Sequence, residues 1–385
     1  MKNRIEELDS VRGLAAFSVF MTHLPLVSLA FSPILIHALR LTGITNGHGA
    51  VMLFFVLSGF VLSPPFLKDD KPDYFQYLVK RFFRIYVPYL VAIVVSMVLS
   101  QQFLNININS DLDKWNTQVN TNLIIEHIYL LGNIHSDAFD DVIWSLIHEL
   151  RISLIFPFVV IFLSRKGLKF NILICFILSG ISIMNSILNL QVSKGYFITY
   201  FDSLHYLSFF VFGCLIAKNK VQIINFYRRL TILKKIFLLL ASFIAYNFSH
   251  IIFILPYIKI VSAFYLPVVE YFMAIGAIGF LIIAMGSIRI SKILLFKPIA
   301  FLGKISFSLY LLHKPILLAT TYLLNKTVSL WLICIIAFIL TLLISYIAWK
   351  FVEDPCMRLG KYITIRINNV QIKKIKTIKE VANNQ

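Results

Sequence analysis

The 385 residues are 59% hydrophobic and only 14% charged, with a mean hydropathy of +0.82. A water-soluble domain carries about 25% charged residues and cannot hide this much apolar side chain in one core, so a soluble enzyme is excluded. The net charge of +18 would by itself suggest a nucleic-acid partner, but its distribution along the chain points to a lipid bilayer instead.

In chain order the apolar runs predict ten spans, at 11–31, 48–66, 85–104, 142–164, 170–190, 197–217, 236–255, 264–285, 305–325 and 328–349. Each is near the roughly 20 residues that cross about 30 Å of hydrocarbon. The expected fold class is therefore all-α, a polytopic membrane helix bundle. Glu6, Glu7 and Asp9 replace the basic start of a cleaved signal peptide, so the first span is expected to stay. Counted over alternate connections, 28 of the 36 Lys and Arg fall on one side, which places both termini in the cytoplasm by the positive-inside rule. The longest connection on the other side, 105–141, encloses a short apolar stretch at 123–131 that suits an interfacial or re-entrant segment. A membrane domain over 1–360 is expected to be followed by a basic cytoplasmic tail, 361–385, lying along anionic headgroups, and no nucleic-acid partner is expected. Cys175, Cys214 and Cys334 fall inside spans and Cys356 just beyond the last, with no paired spacing, so neither a disulfide framework nor a metal site is predicted. No internal repeat is evident, which disfavours a transporter built on inverted repeats.

Ionisable groups at bilayer depth cost about 2.5–3.5 kcal/mol each and call for a partner, a water-filled cavity or a function. His23 lies eleven residues beyond Arg12, about 16 Å along a helix and on nearly the same face. The same rise puts Glu149 at the depth of His23, and Asp202, His205, His250 and Glu270 within about 7–12 Å of the outer surface. The outer half of the bundle thus reads as polar and its inner mouth as basic. Bland readings stand beside these: Arg12 snorkelling to headgroups, His23 in a satisfied interhelical hydrogen bond, Glu149 as a partner of Arg151 or of a neighbouring helix, Asp202 pairing with His205, His250 and Glu270 as structural or cavity-lining groups, and His313–Lys314 as a kink with a snorkelling lysine ahead of Pro315. At the inner mouth K-R-F-F-R places Arg81 and Arg84 three residues apart on one helical face, a forked guanidinium pair suited to phosphate oxygens.

Five segments in order carry a family resemblance: E-L-D-S-V-R-G-L-A-A with the Arg12–His23 spacing, L-F-F-V-L-S-G-F at 53–60, Arg81-x-x-Arg84 running into R-I-Y-V-P-Y, W-S-L-I-H-E-L at 144–150, and S-F-S-L-Y-L-L-H-K-P-I at 306–316. The chain resembles the integral-membrane acyltransferase 3 family, largely bacterial O-acyltransferases of cell-surface carbohydrates. The resemblance implies a multi-pass protein of the bacterial cytoplasmic membrane with no bound cofactor. It also implies a cytoplasmic acyl-coenzyme A, usually acetyl, as co-substrate, and a hydroxyl of a surface glycan or lipid-linked sugar as acceptor. His23 matches the family's catalytic histidine, and Arg12, Arg81 and Arg84 match arginines tied to the donor. Glu149 matches the first glutamate of a W-S-L-x-x-E-E pattern whose second position is Leu150 here. For the acceptor the resemblance implies, His23 is the expected general base, with Glu149 orienting the imidazole or stabilising its charged form and Asp202, His205 and Glu270 of the polar outer half facing the acceptor. A transporter or flippase, with His23 as a proton relay, is the alternative of another class.

Overall fold

The computed structural model describes residues 5–28, 33–104, 106, 115–248, 262–325 and 327–383; His250 and the end of the seventh predicted span lie outside them. Among the described residues the protein is helical throughout, and a helix stands at every one of the ten predicted positions. Seven helical stretches are long and apolar enough to cross a membrane. The other three predicted positions are held by α1 (Glu6–Ser28), with its charged first turns, and by two shorter helices, α3 (Gly47–Leu62) and α11 (Ile232–Tyr246).

Several helices were not predicted, because they lie between the apolar runs. They are α2 (Pro33–Leu41), α4 (Tyr74–Arg81), α10 (Lys220–Arg229) and α13 (Ile288–Leu294). The short apolar stretch of the long connection is α6 (Thr121–Tyr129), started by the Asn120 side chain accepting from the Leu123 amide. Tyr86 and Tyr89 of α5 (Val87–Gln102) and the turn before it donate to the Ile128 and His127 carbonyls, which fixes α6 against α5. Glu126 of α6 accepts from the His135 amide and ring and from Lys194. Partial burial pushes its carboxyl up, but these donors outweigh it and pull it down to about 2.

Two helices form the buried centre. One is α3, ringed by α1, α7 (Trp144–Ser164), α9 (Tyr200–Lys218) and α12 (Ser262–Gly286). The other is α14 (Lys297–Leu324), covered by α1, α5 and α15 (Leu330–Ala348). Lipid tails are as apolar as leucine, so close van der Waals approach rather than hydrophobic driving force holds such helices together, and small residues permit it. A Cβ on Gly13 would fall on the backbone of Leu302 and Gly303, and one on Gly303 would fall on the Asp9 carbonyl. Ten residues further along both helices His23 meets His313, so α1 and α14 run parallel and in register. Gly59 and Gly213 make the equivalent contact between α3 and α9, where a Cβ on Gly59 would overlap the Phe210 carbonyl. Gly59→Leu is therefore expected to cost about 3 kcal/mol or more, since backbone cannot swing aside as a side chain can. Loss of the monodisperse peak in detergent size-exclusion chromatography would show it, and a normal peak with a normal melting point would contradict it.

Two π-turns interrupt the long helices, Phe82–Tyr86 between α4 and α5 and Trp349–Glu353 between α15 and α16 (Asp354–Asn383). Each ends two residues before a proline, Pro88 and Pro355. A proline inside a helix lacks an N–H and crowds the carbonyl four residues back, and one wide turn relieves both faults. The turns lie at one end of the bundle, where α16 packs on α4 and on the first π-turn, with Gly360 against Phe83. This end, which also carries the start of α1, is called the basic end below.

Candidate active site

At the basic end a cavity of about 1020 Å³ opens between the start of α1, the end of α3, the first π-turn and the end of α9. Arg12, Lys68, Lys71, Arg84 and Lys220 line it, against three carboxylates, Asp9, Asp70 and Asp73. Arg12 makes an ion pair with Asp9 at 3.5 Å and Arg84 is exposed toward the space. Glu353 of the second π-turn stands close enough for the charges of Arg12 and Arg84 to act on it, and accepts from the Ser308 amide at 3.3 Å and hydroxyl at 2.7 Å. The wide turns thus have a use: one presents Arg84 and the other a carboxylate that steadies the same pair of guanidiniums.

Arg81 and Arg84 do not share a face. Arg81 ends α4 and the π-turn begins at the next residue, so the wider winding turns Arg84 away from it. Arg81, 8% exposed, points into the bundle and donates to Glu149 at 2.8 Å and to the Ser153 hydroxyl at 2.8 Å. Glu149 also accepts from Ser58 at 3.3 Å. The expected Glu149–His23 contact is thereby corrected: the carboxylate is bound to Arg81. Equal depth on two helices fixes only one coordinate, and the facing direction of α7 decides the partner. Of the two bland readings of Glu149, a partner on a neighbouring helix is the one found, Arg81 of α4, while Arg151 donates to the carbonyls of Leu131, Gly132, Ile198 and Thr199 and so ties the connections at the other end.

At the far end from the cavity, His23 faces His313. The His313 Nδ1 lies 2.8 Å from the Tyr310 carbonyl, so it carries the proton and leaves Nε2 with a lone pair. That Nε2 is 3.2 Å from the His23 Nδ1, which is also 3.0 Å from the Val19 carbonyl. Both neighbours of the His23 Nδ1 are acceptors, so Nδ1 carries the proton and Nε2 holds the lone pair. Val19 of α1 and His313 of α14 together set this tautomer. Next to His313, Lys314 is 3% exposed and paired with Asp141, near enough to both imidazoles for their charges to act on it. This corrects the snorkelling reading of Lys314. Beside it, burial and then the charge of Asp141 push the Asp140 carboxyl well above its usual range.

The acceptor-side residues divide. Asp202 accepts from the Thr199 amide and hydroxyl in a capping box that starts α9, which corrects its assignment to the acceptor and its pairing with His205. His205 and Glu270 are together, at 2.8 Å, and both are buried. His48 joins them at 2.7 Å from Glu270. Sequence reasoning missed His48 and His313: the first stands in N-G-H-G at the start of a span, where it reads as loop, and the second was absorbed into a proline kink. Among the described residues no group of three or more His, Cys, Asp or Glu is arranged to hold a metal ion. All four cysteines are free thiols.

Comparison with known proteins agrees with the motif order. A family model described as "Acyltransferase domain" matches residues 5–350. O-acetyltransferase OatA of Staphylococcus aureus (strain NCTC 8325 / PS 47) is 26% identical over 395 residues, covering 93% of this chain and 59% of the relative. Peptidoglycan O-acetyltransferase OatA of Listeria monocytogenes is 25% identical over 389 residues, covering 92% of this chain and 56% of the relative. The chain thus spans less than two thirds of the length of these relatives. No solved structure matches it significantly.

Proposed function

The chain belongs to the acyltransferase 3 family, whose model covers nearly all of it, and on that premise we propose that it is a membrane O-acetyltransferase acting on the glycan of the cell envelope. The donor is cytoplasmic acetyl-coenzyme A and the acceptor a hydroxyl of a peptidoglycan-like glycan or lipid-linked sugar on the other side, in the bacterial cytoplasmic membrane. The observation that carries it is the division of labour along α1, with the cation-lined cavity at Arg12 and the imidazole pair at His23 about 16 Å further on. Coenzyme A is too polar to cross lipid. Its phosphates stay with Arg12, Arg84 and the neighbouring lysines at the basic end, taken as cytoplasmic, while the pantetheine arm carries the thioester up the bundle.

A sugar hydroxyl is a weak nucleophile at neutral pH and needs its proton removed as it attacks. The lone pair on the His23 Nε2 takes that proton while the oxygen bonds to the thioester carbonyl carbon. The carbon–sulfur bond then breaks, and the imidazolium returns the proton to the leaving thiolate, giving ester and free coenzyme A. Asp141 stabilises the transient positive charge on the imidazole pair, and the lone pair of the His313 Nε2 keeps the His23 ring aligned. Arg81 and Glu149 brace the wall beside the donor.

Purified protein in detergent, given labelled acetyl-coenzyme A and solubilised peptidoglycan strands, is expected to form ester-linked acetate. Transport needs a sealed membrane and transfer does not, so ester formation in detergent separates this function from a flippase, and its absence with every glycan tried would sink it. Arg84→Ala removes a charge-assisted hydrogen bond worth about 1.5–3 kcal/mol, so the KM for acetyl-coenzyme A is expected to rise about 10- to 100-fold with kcat changed far less. An unchanged KM would move the phosphates elsewhere.

A further inference from the structure

One buried polar cluster takes no part in these steps. Glu270 is 1% exposed and holds three donors: His48 Nε2 at 2.7 Å and the Tyr206 hydroxyl at 3.1 Å on one oxygen, His205 Nε2 at 2.8 Å on the other. A carboxylate so deep in a bundle is costly, and one imidazole would be enough to pair it. The two histidines are not equivalent. His205 is 3% exposed and has both nitrogens engaged, Nε2 on Glu270 and Nδ1 on the Ser179 hydroxyl at 2.8 Å. His48 donates its Nε2–H to the carboxylate, which in the neutral imidazole leaves the lone pair on Nδ1, and its side chain is 30% exposed.

That exposure has a direction. Helix α3 is ringed by α1, α7, α9 and α12, and one face of the His48 ring lies against Trp144, with centroids 5.9 Å apart and planes 18° apart. The open side at the first turn of α3 therefore looks along the bundle at the end away from the coenzyme cavity, not out at lipid. A Cβ on Gly47 would lie 3.0 Å from the Thr22 hydroxyl, so His48 and His23 are each the next residue after a shared α1–α3 contact. A partly exposed imidazole fixed through its Nε2 by a carboxylate that is itself clamped is placed to accept a hydrogen bond from a hydroxyl.

We propose that His48 is an acceptor-binding residue, its Nδ1 receiving a hydroxyl hydrogen of the incoming sugar. Glu270, clamped by His205 and Tyr206, is the positioning residue that fixes its tautomer. The ligand class is a polyhydroxylated sugar entering from the far end. The inference rests on the transferase function for what the bound sugar is used for, but the binding itself does not depend on catalysis.

The test titrates chitopentaose, without donor, into wild-type protein and variants in lipid nanodiscs, read by calorimetry, and then measures transfer with the same sugar. His48→Ala is expected to weaken binding about 10-fold, the loss of one hydrogen bond. His48→Asn, whose amide oxygen can accept near the same place, should stay within about threefold of wild type. Glu270→Gln, which replaces an acceptor by an amide, should raise the acceptor KM with kcat and the acetyl-coenzyme A KM near normal. Unchanged binding in His48→Ala, or no binding by the wild type, overturns the proposal. So does a His48→Asn protein that binds normally but has lost kcat about 100-fold, since His48 would then be a base. Wild type that binds and never transfers removes the transferase function and leaves the subsite standing. Wild type that transfers with an acceptor KM equal to that of His48→Ala removes the subsite alone.

Discussion

His23→Ala is expected to reduce transfer by about 10²- to 10⁴-fold, the usual contribution of a positioned general base, with the folded protein still present in the membrane. The fold should survive because the ring is only half-buried, alanine is the best helix former, and the helix is held lower down by the Gly13–Gly303 contact. The partner sharpens the result. His313 accepts from the His23 Nδ1 and touches no part of the proposed reacting centre, so His313→Gln should lose far less, about 10-fold, by loosening the ring. Initial rates at saturating acetyl-coenzyme A, normalised to the monodisperse peak, separate the two. Near-normal turnover in His23→Ala would take the imidazole out of the mechanism. A larger loss in His313→Gln than in His23→Ala would exchange their roles.

Helix existence was legible in the chain because a run of about 20 apolar residues has few other fates, and each of the ten predicted positions carries a helix. The wide turns were legible in principle from Tyr86-Val87-Pro88 and Glu353-Asp354-Pro355, since the cost of an internal proline is local. What the sequence hid was direction around each helix axis. Arg81 and Arg84 are grouped by spacing, but the π-turn between them separates the two, so that Arg81 turns inward to Glu149 and Arg84 stands with Arg12 at the cavity. Glu149 was placed beside His23 by depth alone, while the neighbour the structure supplies is His313, from a helix whose register depends on two glycines far apart in sequence. Asp202 shows a different limit. Its three-residue spacing to both Thr199 and His205 fits a cap or a pair equally well, and the capping box claimed it. His48 carried no signal, because the carboxylate that gives it meaning lies 222 residues away.

Glu149→Ala is expected to damage the fold before it damages the chemistry. Arg81 is 8% exposed, already has an Nε without a partner, and would keep only the Ser153 hydroxyl. Leaving a buried guanidinium without its carboxylate costs about 3–5 kcal/mol, whereas removing both charges together is often neutral. Glu149→Ala should therefore melt well below wild type in detergent and give less folded protein. Glu149→Gln, which retains an oxygen for the arginine, should fall between them. The double variant Arg81→Leu/Glu149→Leu should recover much of the lost melting temperature without recovering full transfer, because Arg81 also sets how the wall of α4 leads into the π-turn that carries Arg84. With the single variants Arg81→Leu and Glu149→Leu the double completes a cycle whose coupling reports the pair directly, since the two side chains are in contact and their single effects cannot simply add. A Glu149→Ala protein that melts with wild type but has lost transfer would assign the carboxylate to the reaction and break the structural account of the ion pair.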